Sequence, residues 1–453
     1  MQVMKKRFSI ILIAIVSIVS GAVSASAQIK YEDFFQDSTL RLDYVFCGDA
    51  RHQAIYLERA YKTSAWAGRK TNLEKPLLAG NGQVNVYNPE TEQVIYSNSF
   101  STLFQEWQSY EEATRVQKAF ENCIQVPFPK APVRVEVSLT DVHGRVTSSL
   151  SHVVDPADIL ICRLHDNNLD RCTLKTGTAA NPIDIVFVAE AYSADEKEKF
   201  YADAARGVQA LFSHEPYAAN ADKFNVVAIF SPSQDSGVSR PGKGIWRNTA
   251  ADSHFDTFYM DRYLTSTSMR KIYDIIGTVP FEHIILLVNT PVYGGGGIYN
   301  SLTIMGSDHK TFKNVLVHEF GHAFGGLGDE YAYGDLEEPM YPADTEPWEP
   351  NLTTLKDFSS KWLDLLPANC PVPTPLDEIE AQDVRRIWNT LTPEQKASLN
   401  LKVGVYEGAG YQMKGVFRPV QECRMRINEC EEFCPVCSRA IVNMIEYYTT
   451  IPM

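Results

Sequence analysis

The sequence predicts a multidomain chain in which an N-terminal antiparallel β-sandwich-like domain precedes an α/β domain. Hydrophobic residues alternate with period two up to about residue 178, and from residue 183 near-continuous apolar runs alternate with helical segments. Composition agrees with this reading: 453 residues, 44% hydrophobic and 22% charged, describe a globular chain of two or three domains and exclude a disordered or collagen-like one.

The first 27 residues read as a secretory signal peptide. Lys5, Lys6 and Arg7 form a charged start, Phe8 to Val19 an apolar run, and Ala25-Ser26-Ala27 a small-residue cleavage pattern. The apolar run is shorter than the roughly 20 residues that span a bilayer, which favours cleavage over anchoring, and no later stretch is long enough for stable membrane insertion. The expected location is therefore secreted or periplasmic. A formal charge of −14 argues against a nucleic-acid partner. Protein or small-molecule partners remain, and the oligomeric state is not encoded legibly. Nine cysteines in an exported chain point to disulfides, with one left over. Cys423, Cys430, Cys434 and Cys437 crowd together and also admit a structural zinc site.

In residues 28–178, Leu40, Leu42, Tyr44 and Phe46 alternate with polar residues, as do Val133, Val135, Val137 and Leu139. Val84–Tyr87 and Val94–Tyr96 flank a turn-rich connection and suit a hairpin. No catalytic constellation stands out in this region. A linker around Thr176 to Pro182 leads into the second domain, residues 179–453. There Ile183–Ala189, Phe224–Phe230 and Ile284–Val288 read as strands covered on both faces, and Ser193 with Glu196 opens a helix running to about Phe212. Residues 339–400, rich in proline with a helical stretch near Asp377–Leu399, read as an insertion.

The chemistry concentrates at His318-Glu319-Phe320-Gly321-His322. Histidines at i and i+4 of a helix stack one turn apart on one face, where both can bind a single zinc ion. Glu319 is then placed to take a proton from a zinc-bound water, the arrangement for hydrolysis of a peptide bond. Phe312, Val315, Leu316, Phe320 and Phe324 mark the helix as buried, and two histidines and a glutamate buried without partners would cost several kcal/mol. A catalytic zinc needs a third protein ligand. Gly325, Gly326 and Gly328 turn the chain back, so Asp329 is the first choice and Glu330 the second. Gly328 stands where the metzincin pattern would carry its third histidine.

The run HEFGHAFGGLGDEY, His318 to Tyr331, resembles the signature of the M64 metallopeptidases, named for immunoglobulin A peptidases. Similar blocks include Tyr293-Gly294-Gly295-Gly296-Gly297, Tyr406 to Tyr411, Cys423-Arg424-Met425 and Cys434-Pro435-Val436-Cys437, and the β region is similar to the domain that often precedes this unit. The resemblance implies an α/β zincin-like, metzincin-related peptidase domain in a secreted zinc endopeptidase. His318 and His322 are then ligands, Glu319 is the catalyst and the substrate is a protein or peptide; the family's name transfers no particular substrate. On this picture Met425 forms either a methionine turn beneath the zinc or an ordinary core contact. The glycines after Tyr293 form either an edge strand for an extended peptide or a turn, and Tyr411 or Tyr331 donates to the tetrahedral intermediate. Asp308 and His309 show no ligand spacing. Two rivals share the residues: an extracytoplasmic protein- or glycan-binding protein with a structural metal, and a zinc amidase acting on peptidoglycan.

Overall fold

The computed structural model describes residues 29–334, 340–376 and 384–450. The expected signal peptide and residues 377–383 of the expected helical stretch lie outside them. Two four-stranded sheets enclose the first core. One runs in the order Lys118–Pro129, Phe35–Gly48, Gln53–Lys62, Cys162–Arg163, and the other Val94–Phe100, Gly82–Tyr87, Val133–Thr140, Val146–Val154. Pairing is antiparallel except for the short Cys162–Arg163 strand. Leu40, Leu42, Tyr44 and Phe46 face Val84, Val86, Val135 and Val137 in one buried cluster, as the alternation requires.

The second face of the strand Phe35–Gly48 departs from simple alternation. Arg41 and Asp43 should meet water there, yet both are buried. The helix Met269–Ile276 of the following domain covers them. The Arg41 guanidinium grips Asp43 at 2.7 and 2.8 Å and reaches Asp274 on that helix at 2.6 Å, so the buried charges are paired across the domain junction.

A six-stranded sheet organises the second domain, in the order Gly295–Ile298, Leu302–Gly306, His283–Val288, Ile183–Glu190, Phe224–Phe230, Asp170–Lys175. Its four inner strands are parallel and both edge strands antiparallel. The edge strand Asp170–Lys175, from the stretch whose alternation reads as part of the first region, pairs here with Phe224–Phe230. Alternation reveals a strand but not the sheet it joins. Ile185, Phe187 and Ala189 pack toward the helices Lys197–Phe212, Phe312–Ala323 and Pro435–Thr449, while Val186 and Val188 pack toward Met269–Ile276. The first of these helices opens as expected, with Glu196 accepting from the Ser193 amide at 2.8 Å.

Within residues 340–376 and 384–401 the expected insertion forms short helical turns and the helix Pro393–Leu401, whose Thr392 cap accepts from the Gln395 amide at 3.2 Å. It is packed into the domain, for Trp362 is fully buried and its indole donates to Gly404 O at 2.8 Å. Among the described residues no helix is long and apolar enough to cross a membrane.

The Phe187 ring lies where a Cβ on Gly207 would come within 2.8 Å, so strand and helix meet there in close contact. Truncation at such a site leaves a cavity. Phe187→Ala should lower the unfolding free energy by roughly 3–5 kcal/mol, read from urea denaturation. Val146→Ala, at a residue 61% exposed, should stay within about 0.5 kcal/mol of the parent.

Candidate metal centre

The apolar residues Phe312, Val315, Leu316, Val317 and Phe320 hold the helix Phe312–Ala323 against the sheet and leave one face for His318, Glu319 and His322. Past its end Gly326 adopts a left-handed φ of 62°, and the amide of Leu327 returns to Gly321 O at 3.2 Å. Gly328 cannot carry a ligand side chain, because a Cβ there would sit 2.4 Å from Leu352 Cδ1. Asn351 clamps this glycine, accepting from its amide at 2.7 Å and donating to its carbonyl at 2.9 Å. Asp329 and Glu330 follow and enter different clusters, the first with the two imidazoles and the second with Cys437.

Three atoms converge. The Nε2 atoms of His318 and His322 are 3.0 Å apart, and Asp329 Oδ1 lies 3.1 Å from the first and 3.2 Å from the second. Each imidazole donates its Nδ1 proton to a carbonyl: His318 to Arg424 O at 2.9 Å and His322 to Leu327 O at 2.5 Å. These acceptors leave both Nε2 lone pairs facing the carboxylate. Asp329 Oδ1 is buried and has no hydrogen-bond partner. Such a triangle of electron pairs needs a cation, and its edges are close to the roughly 3.3 Å expected between N and O ligands about 2.0–2.1 Å from a tetrahedral zinc. The donor set therefore fits zinc with one position left over.

Without a metal ion, a proton on His322 meets the same need for positive charge. Burial opposes a charged His322, but Asp329 beside it outweighs burial and raises the imidazole to about 9. Burial likewise works against ionised Asp329, yet His322 and His318 hold it far below the ordinary carboxylate range. Asp329 Oδ2 accepts from the hydroxyl of Tyr411, one of the two tyrosines singled out from sequence. The Gly410 amide donates to Asp329 O at 2.8 Å and the Tyr411 amide to Tyr331 O at 2.9 Å, fixing that loop.

Glu319 offers a carboxylate oxygen within 4.8 Å of both imidazoles. Burial raises its pKa above the ordinary glutamate value, against the pull of His318 and His322. The glycine run lies alongside as the edge strand Gly295–Ile298. Its closest approach is to the motif helix itself, since a Cβ on Gly297 would fall 2.1 Å from Glu319 O. Met425 is buried beneath the same helix, its sulfur 3.0 Å from where a Gly321 Cβ would lie. Asp308 pairs with Lys199 at 2.9 Å, and His309 meets Thr311 Oγ1 at 2.7 Å, away from the triangle.

Glu106 was not legible as a site residue. It comes from the first domain and accepts from the Tyr263 hydroxyl at 2.7 Å. Burial, followed by the charges of Asp329 and Glu319, pushes its carboxyl up to about 7 against the Tyr263 hydrogen bond. None of the nine cysteines is bridged in the structure, contrary to the disulfides expected of an exported chain.

The fold and this donor set together have the make-up of a metal-dependent hydrolase. Residues 172–445 match the family model described as IgA Peptidase M64, and residues 30–151 match the one described as Peptidase M64 N-terminus. The chain belongs to the M64 peptidase family, a family of metallopeptidases, and its class of substrate is accordingly protein or peptide. No curated protein matches it.

Loss of the hydroxyl that orients a ligating carboxylate usually costs about 10–100-fold in metal affinity. Tyr411→Phe should weaken zinc binding by that factor, measured by competition with a chromophoric chelator, with little change in fold.

Proposed function

We propose that the chain is an exported zinc-dependent endopeptidase that hydrolyses peptide bonds of protein substrates. One observation carries this reading: two imidazole lone pairs and an unpartnered buried carboxylate oxygen meet within 3.0–3.2 Å, with a second carboxylate beside them. His318, His322 and Asp329 are the protein ligands, and the remaining position is for water. Zinc, when bound, supplies Lewis acidity toward the attacking water and the scissile carbonyl.

The protein's own groups do the rest. Arg424 O and Leu327 O hold the imidazoles as Nδ1–H tautomers, and Tyr411 holds Asp329. Glu319, made more basic by burial, accepts the proton of the attacking water and passes it to the leaving amine. The edge strand Gly295–Ile298 offers main-chain groups to an extended peptide, which aligns as an added strand over the site. A motif helix packed on a sheet with an antiparallel edge strand supports a zincin-like, metzincin-related fold. The first 27 residues support export through a cleavable signal peptide.

Incubating a proteome-derived peptide library with wild type and Glu319→Gln tests the reading. Removal of a general base lowers turnover by about 10²–10⁴-fold. The variant should retain zinc and lose cleavage by that factor; equal cleavage by both would remove Glu319 from the mechanism. His322→Ala should lose the metal together with activity, seen by elemental analysis.

The pH profile follows from the same residue. A base must be ionised to act, so kcat/KM should fall as pH drops through the raised Glu319 value, with the limb centred above an ordinary glutamate's. A limb at or below the ordinary value would show that the charge of the bound cation outweighs burial at Glu319.

A further inference from the structure

A second cluster lies on the other side of the Asp329–Glu330 segment. Glu330, Cys423, Cys434 and Cys437 are all fully buried, and each contributes one potential ligand atom within 4.8 Å of the others. Cys423 Sγ and Cys437 Sγ are 3.9 Å apart, and Cys437 Sγ is 3.1 Å from Glu330 Oε1. At the start of the helix Pro435–Thr449, the Cys434 amide points to Cys423 Sγ at 3.3 Å and the Cys437 amide to Cys434 Sγ at 3.4 Å. Such N–H donors at a helix N-terminus favour the thiolate. Asn351 donates to Glu330 Oε1 at 2.9 Å, while Glu330 Oε2 is buried without a hydrogen-bond partner.

We propose that Glu330, Cys423, Cys434 and Cys437 bind a second, structural zinc ion. Zn–S bonds of about 2.3 Å place two sulfurs of a tetrahedron about 3.8 Å apart, which matches the Cys423–Cys437 separation; a disulfide requires about 2.05 Å. The carboxylate decides between these chemistries. One bridge among three thiols would leave a buried thiol facing a buried, half-satisfied carboxylate, an arrangement that costs free energy and has no compensating partner. A divalent cation joins all four donors and closes the coordination sphere, as a structural site demands.

Sequence spacing groups Cys430 with these cysteines, but the fold puts Glu330 in its place. Cys430 Sγ instead lies 3.5 Å from both Glu432 O and Asn400 Nδ2. Full burial protects the three ligating sulfurs from the oxidising conditions that export implies.

The second ion acts as a staple for the first site. It ties Glu330, next to Asp329, to the segment whose Arg424 carbonyl orients His318. The Glu330 amide already donates to Met425 O at 2.9 Å along the same seam. The donors are distinct from those of the catalytic reading, so the two assignments fail separately.

Elemental analysis and cobalt substitution of the mature full-length chain test this. Two zinc ions per chain are expected, and the Co(II)-reconstituted protein should show thiolate-to-cobalt charge transfer in the near ultraviolet. His322→Ala should keep that band with one metal per chain. Cys437→Ser should lose the band, and Glu330→Gln should weaken retention of the thiolate-bound ion against chelators by at least tenfold. Wild type and His322→Ala suffice if the cysteine variant does not fold. Absence of the band in both, or a disulfide among Cys423, Cys434 and Cys437 mapped by mass spectrometry, overturns the proposal. None of these readouts uses hydrolysis, so they test the second ion independently of the catalytic reading.

Discussion

The need for positive charge among converging electron pairs is the constraint around which this structure is arranged. Two imidazole nitrogens and a carboxylate oxygen cannot be held about 3 Å apart in a buried place unless surrounding groups prevent them from turning away. Each has its own restraint: a carbonyl from residue 424, a carbonyl from residue 327, and the Tyr411 hydroxyl. These restraints come from three separate parts of the chain. The site therefore exists only once the motif helix, the glycine turn and the C-terminal segments have docked.

The motif helix was legible because i, i+4 spacing converts directly into geometry on a helix face. The inner strands were legible because strands covered on both faces lose their alternation. The choice between Asp329 and Glu330 was not, since the two adjacent carboxylates enter different clusters and sequence does not say which cluster holds the imidazoles. The structure sends Asp329 toward the histidines and Glu330 toward three cysteines. Glu106 was illegible for a different reason: its place depends on how the first domain docks. Arg41 and Asp43 show the same dependence, reading as a solvent face and emerging buried.

Cysteine counting illustrates where compositional inference ends. An exported chain with many cysteines is ordinarily bridged, and spacing alone favours grouping the four near the C-terminus. Two observations alter that expectation: Cys430 is turned to Asn400 and Glu432, and a carboxylate remote in sequence enters the cluster. Neither can be found by spacing, because both are consequences of long-range packing.

The glycine run shows why the second domain's edge is built as it is. Glycine there permits close backbone approach, and the neighbour approached is the motif helix at Glu319 and His322 rather than open space. Any larger residue at Gly297 would push the edge strand away from the helix. The strand is thereby held at a set depth against the face that carries Glu319 and His322. Main-chain groups along the sheet edge and the carboxylate of Glu319 are thus positioned by a single contact, and a peptide that pairs with that edge inherits the alignment without any side chain of its own being read.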